Sequence, residues 1–122
     1  MTTNNKKELY SWSEFGEDAK KLANLIKKSG VKFDSVWGPA RGGLPIAVSL
    51  SHALDLPLVA TPGGKSTLIV DDIADTGKTL KNFADQGYFI ATLYYHKQSQ
   101  FVPSIWLKEK KNDWVAFPWE VA

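Results

Sequence analysis

The segment from Leu68 to Leu80 carries the side chains of this chain that are best suited to chemistry. It places the carboxylates of Asp71, Asp72 and Asp75 behind a short apolar run, and the hydroxyls and glycine of residues 76–79 follow. An apolar run of this kind is typical of a central strand buried on both faces. Open parallel sheets bind their ligands at the carboxyl ends of such strands, and amides at a helix start suit a phosphate. The alternative is a solvated acidic turn with an Asp cap.

A second anion-binding pattern occurs earlier in the chain. Gly38-Pro39-Ala40-Arg41-Gly42-Gly43 follows a predicted strand and precedes a predicted helix. Its backbone amides and the guanidinium of Arg41 can therefore meet an anion at the edge of the sheet. Taken alone, the segment could equally be a tight glycine-rich turn without a ligand. Two phosphate-type loops after neighbouring strands favour the binding interpretation.

Other nucleotide and metal patterns are weaker. Gly64-Lys65-Ser66 and Gly77-Lys78-Thr79 both end like a Walker loop, but Val59 and Asp72 stand where its first glycine belongs. The sequence therefore does not predict an ATPase. No histidine is spaced with carboxylates as in a zinc site, and Mg²⁺ is the expected metal because it prefers oxygen ligands and binds largely through substrate phosphates.

The elements that must position these loops alternate between helical and strand patterns. A capping box at Ser11 to Glu14 begins the first helix, which should end near Gly30. The remaining predicted elements are a strand at Ser35–Trp37, a helix at Leu44–Leu54, strands at Leu58–Ala60 and Leu68–Val70, a helix to about Asp85 closed by Gly87, and strands at Tyr88–Tyr95 and Ser104–Leu107. This order predicts an α/β fold with a mostly parallel twisted sheet flanked by helices.

Length and composition limit the number of domains and the kinds of partner that we expect. A length of 122 residues predicts a single domain over residues 1–122, and a net charge of +2 from 15 basic and 13 acidic residues does not indicate nucleic-acid binding. The chain has no cysteine and no apolar run of membrane-spanning length, so we expect a cytoplasmic protein without membrane contact. Five tryptophans and six phenylalanines in one small domain predict a homodimer or larger homo-oligomer.

The segment from Leu68 onward resembles the 5-phosphoribosyl-1-pyrophosphate (PRPP) motif of the type I phosphoribosyltransferases, in which a hydrophobic strand is followed by Asp-Asp and then by Asp-Thr-Gly-x-Thr. The resemblance implies that Asp71 and Asp72 face the ribose and the magnesium-bound substrate, and that Asp75 is the general base toward a nucleobase. It further implies two phosphate sites. Thr76, Gly77, Lys78 and Thr79 would surround the 5′-phosphate, and Ala40, Arg41, Gly42 and Gly43 would hold the diphosphate.

The C-terminal part carries candidates for base recognition. Lys97 follows a long predicted strand and could donate to a carbonyl oxygen of a base, while Trp114 offers a ring for stacking and Val115 offers backbone groups. The stretch from Asp113 to Glu120 resembles the ending of bacterial xanthine-guanine phosphoribosyltransferases. The resemblance implies a small C-terminal hood and transfer of the phosphoribosyl group from PRPP to a 6-oxopurine (guanine, xanthine or hypoxanthine), with release of pyrophosphate. An ordinary surface lysine and a core or interface tryptophan are the alternatives.

One segment departs from the family. Only residues 61–67 separate the strand predicted at Leu58 from the strand at Leu68, where related enzymes carry a long mobile flap. Flap closure excludes water from the reacting sugar. A regulatory protein that binds PRPP or a nucleotide with little or no transferase activity is therefore the contrasting hypothesis, and an enzyme acting on another base is a third.

Overall fold

A computed structural model of the chain describes residues 7–75 and 78–120. Three helices and six strands alternate along these residues. In chain order they are β1 (Lys7–Leu9), α1 (Trp12–Lys28), β2 (Ser35–Trp37), α2 (Leu44–Leu54), β3 (Thr67–Ala74), α3 (Lys78–Asp85), β4 (Ile90–Tyr95), β5 (Ile105–Glu109) and β6 (Trp114–Ala116).

The main sheet has four parallel strands in the order β2-β3-β4-β5. Side chains alternate between its two faces, so β3 is covered on both sides. Leu68 and Val70 belong to the larger apolar cluster with α1 and α2, while Ile69 packs with Leu80 of α3 and Ile90 of β4. The prediction of an α/β fold with a parallel sheet flanked by helices is confirmed.

The predicted limits of the central strands need correction. β3 runs from Thr67 to Ala74, beyond the predicted range of residues 68–70, and so contains Asp71 and Asp72. The ladder with β4 continues past the apolar run, because Asp71 lies opposite Thr92 and Ile73 opposite Tyr94. The predicted strand at Leu58–Ala60 is wrong, since only Leu58 forms an isolated parallel bridge, to Val36 at the edge of the sheet.

A second, two-stranded parallel sheet joins β1 to β6, with Lys7 opposite Trp114 and Leu9 opposite Ala116. The hood predicted from the C-terminal residues therefore also contains an N-terminal strand that the sequence did not reveal. Its position is fixed by a hydrogen bond of 2.5 Å from the Tyr94 hydroxyl of β4 to Glu8 of β1.

The helix ends agree with the signals in the sequence. Ser11 and Glu14 form the predicted capping box of α1, a contribution of about 1 kcal/mol. The chain leaves α1 through Gly30 and leaves α3 through Gly87, both at positive φ. None of the helices in the described part of the chain has the length and apolar character needed to cross a membrane.

Candidate active site

The candidate site lies at the carboxyl end of β3. Asp71 and Asp72 occupy the second half of this strand, and Asp75 follows its last residue. Asp72 is buried, at 9% exposure, whereas Asp75 keeps 38% of its side chain exposed. One strand therefore delivers three carboxylates to the sheet edge where parallel sheets bind their ligands.

The loop before α2 packs directly against this acidic strand. A Cβ on Gly42 would lie only 2.6 Å from Oδ2 of Asp72, and a Cβ on Gly43 would lie 2.7 Å from Cδ of Pro39. The loop is closed by hydrogen bonds from the Gly43 amide to the Pro39 carbonyl (2.8 Å) and from the Leu44 amide to the Arg41 carbonyl (3.1 Å). A side chain at Gly43 would clash with the backbone of Pro39, and one at Gly42 would force the Asp72 carboxylate or the loop to move.

The remaining features of this loop suit an anion. Ala40 and Arg41 are exposed and are joined by a cis peptide bond. The exposed side chain of Arg41 stands just before the first turn of α2, and the N-terminus of a helix favours negative charge.

The adjacent carboxyls of Asp71 and Asp72 behave as a coupled pair. Burial, followed by the nearby charge of Asp72, raises the pKa of Asp71 to about 9. Burial likewise raises the pKa of Asp72, although a hydrogen bond from Asp71 opposes this effect. Loss of the proton from Asp71 is therefore disfavoured, because it would place a second negative charge beside Asp72 where water is largely excluded.

Asp75 is held between two basic side chains from neighbouring strand ends. Its Oδ1 lies 3.0 Å from Nδ1 of His96, and its Oδ2 lies 3.2 Å from Nζ of Lys110. The backbone positions both partners, since His96 donates to the Ala74 carbonyl and Lys110 donates to the Tyr95 carbonyl, each at 2.9 Å. The carboxylate consequently has a fixed orientation.

A cavity of about 100 Å³ opens beside Asp75. Its walls come from β3, from the end of β5 and from the hood, and the lining residues are Asp72, Ile73, Asp75, Lys110, Trp114, Val115, Phe117 and Glu120. The ring of Trp114 is 56% exposed, and Nζ of Lys110 lies 5.5 Å from its centroid. An apolar, partly aromatic wall with a carboxylate at its edge suits a small planar molecule.

A second cavity of about 460 Å³ lies over the loop before α2, lined by Arg41, Gly42, Trp119 and Glu120. Glu120 lines both cavities, so the two are neighbours. The buried indole N–H of Trp119 has no hydrogen-bond partner among the described residues, yet it lies near enough to the Asp72 carboxyl to oppose the rise in its pKa.

The predicted site residues are distributed unevenly around these cavities. Asp72, Asp75, Trp114 and Val115 line the smaller one. Lys97 does not: its side chain is 79% exposed and its Nζ lies 3.6 Å from Glu109. The phosphate-loop residues Lys78 and Thr79 are exposed in the first turn of α3, whereas Thr76 and Gly77 lie outside the described residues.

Sequence reasoning missed His96, Lys110 and Glu120 as site residues. His96 follows directly after β4, as expected for a residue at the active edge of a parallel sheet, and this position was the available signal. Lys110 stands in a run of four basic and acidic residues, Lys108 to Lys111, and nothing in that run distinguishes it.

The segment of residues 61–66 is a tight turn fixed to the body of the protein. The amide of Gly63 donates to Oγ1 of Thr67 (3.2 Å), its carbonyl accepts from the Tyr88 hydroxyl (3.3 Å), and the Trp37 indole N–H donates to the Ala60 carbonyl (3.1 Å). No residue of this turn lines the cavity beside Asp75, whereas the hood residues Trp114 and Val115 do.

The chain is similar in sequence and fold to known phosphoribosyltransferases. No family model matches the chain. A curated xanthine-guanine phosphoribosyltransferase from Nitratidesulfovibrio vulgaris is 27% identical over 90% of this chain and 82% of its own length. The crystal structure of a purine phosphoribosyltransferase from Pyrococcus horikoshii is 30% identical, with a TM-score of 0.82 over 96% of this chain and 95% of that one. A xanthine-guanine-hypoxanthine phosphoribosyltransferase from Helicobacter pylori, 23% identical, shares the fold with a TM-score of 0.78 over 94% of each chain.

Proposed function

Because the chain belongs to the type I phosphoribosyltransferases, we propose that it transfers the 5-phosphoribosyl group of PRPP to a 6-oxopurine and releases pyrophosphate. Guanine, xanthine and hypoxanthine are the candidate bases. The observation that carries the proposal is the position of Asp75, whose oriented carboxylate borders a cavity for a planar base one residue beyond the strand that carries Asp71 and Asp72.

The donor end of the site would stabilise the leaving group. In the reaction, the bond between C1 of the ribose and the diphosphate oxygen breaks, and a bond from C1 to a nitrogen of the base forms. Arg41 and the loop that contains Gly42 and Gly43 would bind the departing diphosphate, whose negative charge increases in the transition state. Asp71 and Asp72 would orient the ribose hydroxyls, and Thr76, Gly77, Lys78 and Thr79 would hold the 5′-phosphate.

The acceptor end would hold and deprotonate the base. Trp114 stacks on one face of the base, and the backbone at Val115 reads its edge. Asp75 accepts the proton that the base nitrogen loses as the new bond forms, which requires hydrogen-bond reach directly or through one water. The contact with His96 keeps the Asp75 carboxylate in one orientation, so little reorganisation is needed when the base enters.

The side chains of the site suit Mg²⁺ bound partly through the substrate rather than a metal held by protein ligands alone. The described residues contain no group of three or more His, Cys, Asp or Glu side chains that could hold a metal ion. A cation bound largely through substrate phosphates suits two adjacent carboxyls with raised pKa values, because its charge offsets the negative charge that burial disfavours. When bound, Mg²⁺ would neutralise the diphosphate, with Asp71 and Asp72 as its protein partners, partly through the substrate.

A substrate panel tests the proposal. The protein is incubated with PRPP and Mg²⁺ together with guanine, xanthine, hypoxanthine, adenine or uracil, and nucleotide and pyrophosphate are both measured. We expect nucleotide from at least one 6-oxopurine and none when Mg²⁺ is omitted. PRPP binding without nucleotide from any base would instead support the regulatory hypothesis, which the short turn of residues 61–66 favours. Pyrophosphate without nucleotide would reveal hydrolysis.

We also propose that the chain acts as one domain, in the cytoplasm, and as a homodimer or larger assembly. Large apolar side chains on the surface support the oligomer, among them Leu9 at 77% exposure and Trp12 at 58%. Sedimentation at micromolar concentration tests it, and a monomer would contradict it.

A further inference from the structure

We infer that Trp119 is a positioning residue of the donor site: its indole N–H donates a hydrogen bond to the Asp72 carboxylate when PRPP is bound. The hood then orients the acidic strand as well as the base. The inference rests on the proposed function and deepens it, because it gives a residue of the hood a part in binding the donor.

The buried N–H of Trp119 is the first argument. This nitrogen is shielded from water and has no hydrogen-bond partner among residues 7–75 and 78–120. A buried donor without a partner carries an energetic penalty comparable to a lost hydrogen bond, and native proteins rarely leave such groups unpaired. The N–H is therefore available for an acceptor that a bound ligand brings into place.

The packing of the indole ring fixes the direction of this N–H. The ring stacks on Phe117, with 4.9 Å between centroids and 7° between planes. It also contacts Phe15 of α1 at 5.1 Å and Trp12 at 5.8 Å. Rotation of the indole toward another partner would break these contacts, so the adjustment that completes a hydrogen bond falls to the acceptor.

Asp72 is the acceptor that the surroundings favour. Burial has the largest effect on the pKa of Asp72 and raises it, whereas an interaction with the Trp119 side chain lowers it, so the two groups lie within reach of each other. Glu120 lines the same cavity as Trp119, but its Oε1 already accepts a hydrogen bond from the Phe117 amide at 3.0 Å.

The proposed diphosphate loop lies against the same carboxylate. An ideal Cβ on Gly42 would lie 2.6 Å from Oδ2 of Asp72, and Gly42 and Trp119 both line the cavity of about 460 Å³. A donor bound in this cavity beside Arg41 therefore enters between the loop and the hood. Its ribose hydroxyls would bind one oxygen of Asp72 and leave the other oxygen to the indole N–H, which orients the carboxylate from both sides.

The direct test follows the indole N–H of Trp119 by heteronuclear NMR in the unaltered protein. The chain has five tryptophans, and the signal of Trp119 is the one that single phenylalanine replacements of the other four leave unassigned. On saturation with PRPP and Mg²⁺, this proton should shift downfield and exchange more slowly with solvent, because it enters a hydrogen bond. A Trp119 signal that does not move would overturn the inference.

Binding measurements supply a second test. Trp119→Phe keeps an aromatic ring against Phe117 but removes the N–H, so it should weaken PRPP binding, measured by calorimetry with Mg²⁺, by about 10- to 100-fold. Trp106→Phe is the matched control, because Trp106 packs on Tyr95 and lines neither cavity, and it should change the affinity by less than about 2-fold.

A double variant tests whether Trp119 acts through Asp72. In the Asp72→Ala background the acceptor is absent, so Trp119→Phe should cause no further loss of PRPP affinity beyond about 2-fold. Equal losses with and without the Asp72 carboxylate would show that Trp119 serves the fold or contacts the substrate itself, and would overturn the inference.

These results are separate from the proposed function, which depends on nucleotide formation by the unaltered protein. PRPP binding and nucleotide formation without a change at the Trp119 indole would refute only the inference. A Trp119 signal that responds to PRPP in a protein that makes no nucleotide would refute only the function.

Discussion

The carboxylate of Asp72 lies against the backbone of Gly42, at a distance that leaves no room for a Cβ. This contact joins two segments that we propose bind PRPP, since Gly42 belongs to the proposed diphosphate loop and Asp72 to the acidic strand. The two halves of the proposed donor site are therefore in direct contact.

Replacement of Gly42 by alanine should disrupt the donor site. The new methyl group would lie 2.6 Å from Asp72 Oδ2, so either the loop or the carboxylate must move. We expect PRPP binding, measured by calorimetry with Mg²⁺, to weaken by about 10- to 100-fold. Gly64→Ala is the control, because an added Cβ there meets nothing within 4 Å. Normal PRPP binding by Gly42→Ala would show that the contact is not needed.

Replacement of Asp75 by asparagine should slow turnover far more than it weakens donor binding. The amide keeps the shape of the side chain but cannot take the proton of the base, so kcat should fall by about 100- to 10,000-fold while the Kd for PRPP stays nearly unchanged. Asp55→Asn, at the opposite end of α2, provides a control of equal charge change. An Asp75→Asn enzyme with full kcat would remove this residue from the role of general base.

Replacement of Asp71 by asparagine should stabilise the fold in a pH-dependent way. The folded pKa of Asp71 is about 9, above its ordinary 3.8, so the contribution of this group to stability is most favourable below pH 4 and is lost as the pH rises toward 9. Asparagine removes this loss. We therefore expect the free energy of unfolding to increase by about 1–3 kcal/mol at pH 8 and hardly at all at pH 4. Thermal unfolding across this range measures it.

Asp85→Asn is the control for this experiment, because its exposed pair with Lys81 is worth little. A gain for Asp71→Asn that is equal at pH 4 and pH 8 would contradict the shifted pKa. The same variant should bind PRPP poorly, so stability and function change in opposite directions at this position.

Replacement of Trp114 by alanine should weaken base binding selectively. The loss of one stacking surface corresponds to a rise of about 10- to 100-fold in the KM for the 6-oxopurine, with the KM for PRPP nearly constant. Trp114→Phe keeps an aromatic face, so its KM for the 6-oxopurine should be much closer to that of the unaltered enzyme. Because Trp114 is exposed and its neighbour Val115 is buried, the hood should survive both changes. Equal rises in both KM values would indicate that Trp114 serves the fold instead.

The sequence could predict the parts of this structure that depend on local interactions. The capping box at Ser11 and the limits of α2 follow from residues that contact one another within a few positions. The position of Asp75 at the end of β3 also follows, because an apolar run, a turn and a helix start define a strand edge without knowledge of the partner strands.

The remaining features depend on partners that are distant in sequence. β1 has only three residues, and its pairing with β6 has no periodic pattern that could reveal it. Leu58 makes a single parallel bridge to Val36 at the edge of the sheet, and its neighbours make none, so no strand forms there. Lys97 lies outside the cavity because the chain turns at His96, whose carbonyl accepts a hydrogen bond from the Ser99 amide. β5 then brings the chain back to the same edge of the sheet, where Lys110 follows its last residue.

The pairing of β1 with β6 has a consequence for how the site is assembled during synthesis. The wall that carries Trp114 and Val115 is among the last parts of the described chain to leave the ribosome, and its partner strand is among the first. Until β6 emerges, β1 has an unpaired edge, while the donor loops at Gly42 and Asp72 can already form. The wall that we propose for the base is therefore completed only after the segments proposed for PRPP have been synthesised, and its assembly requires the two ends of the described chain to meet.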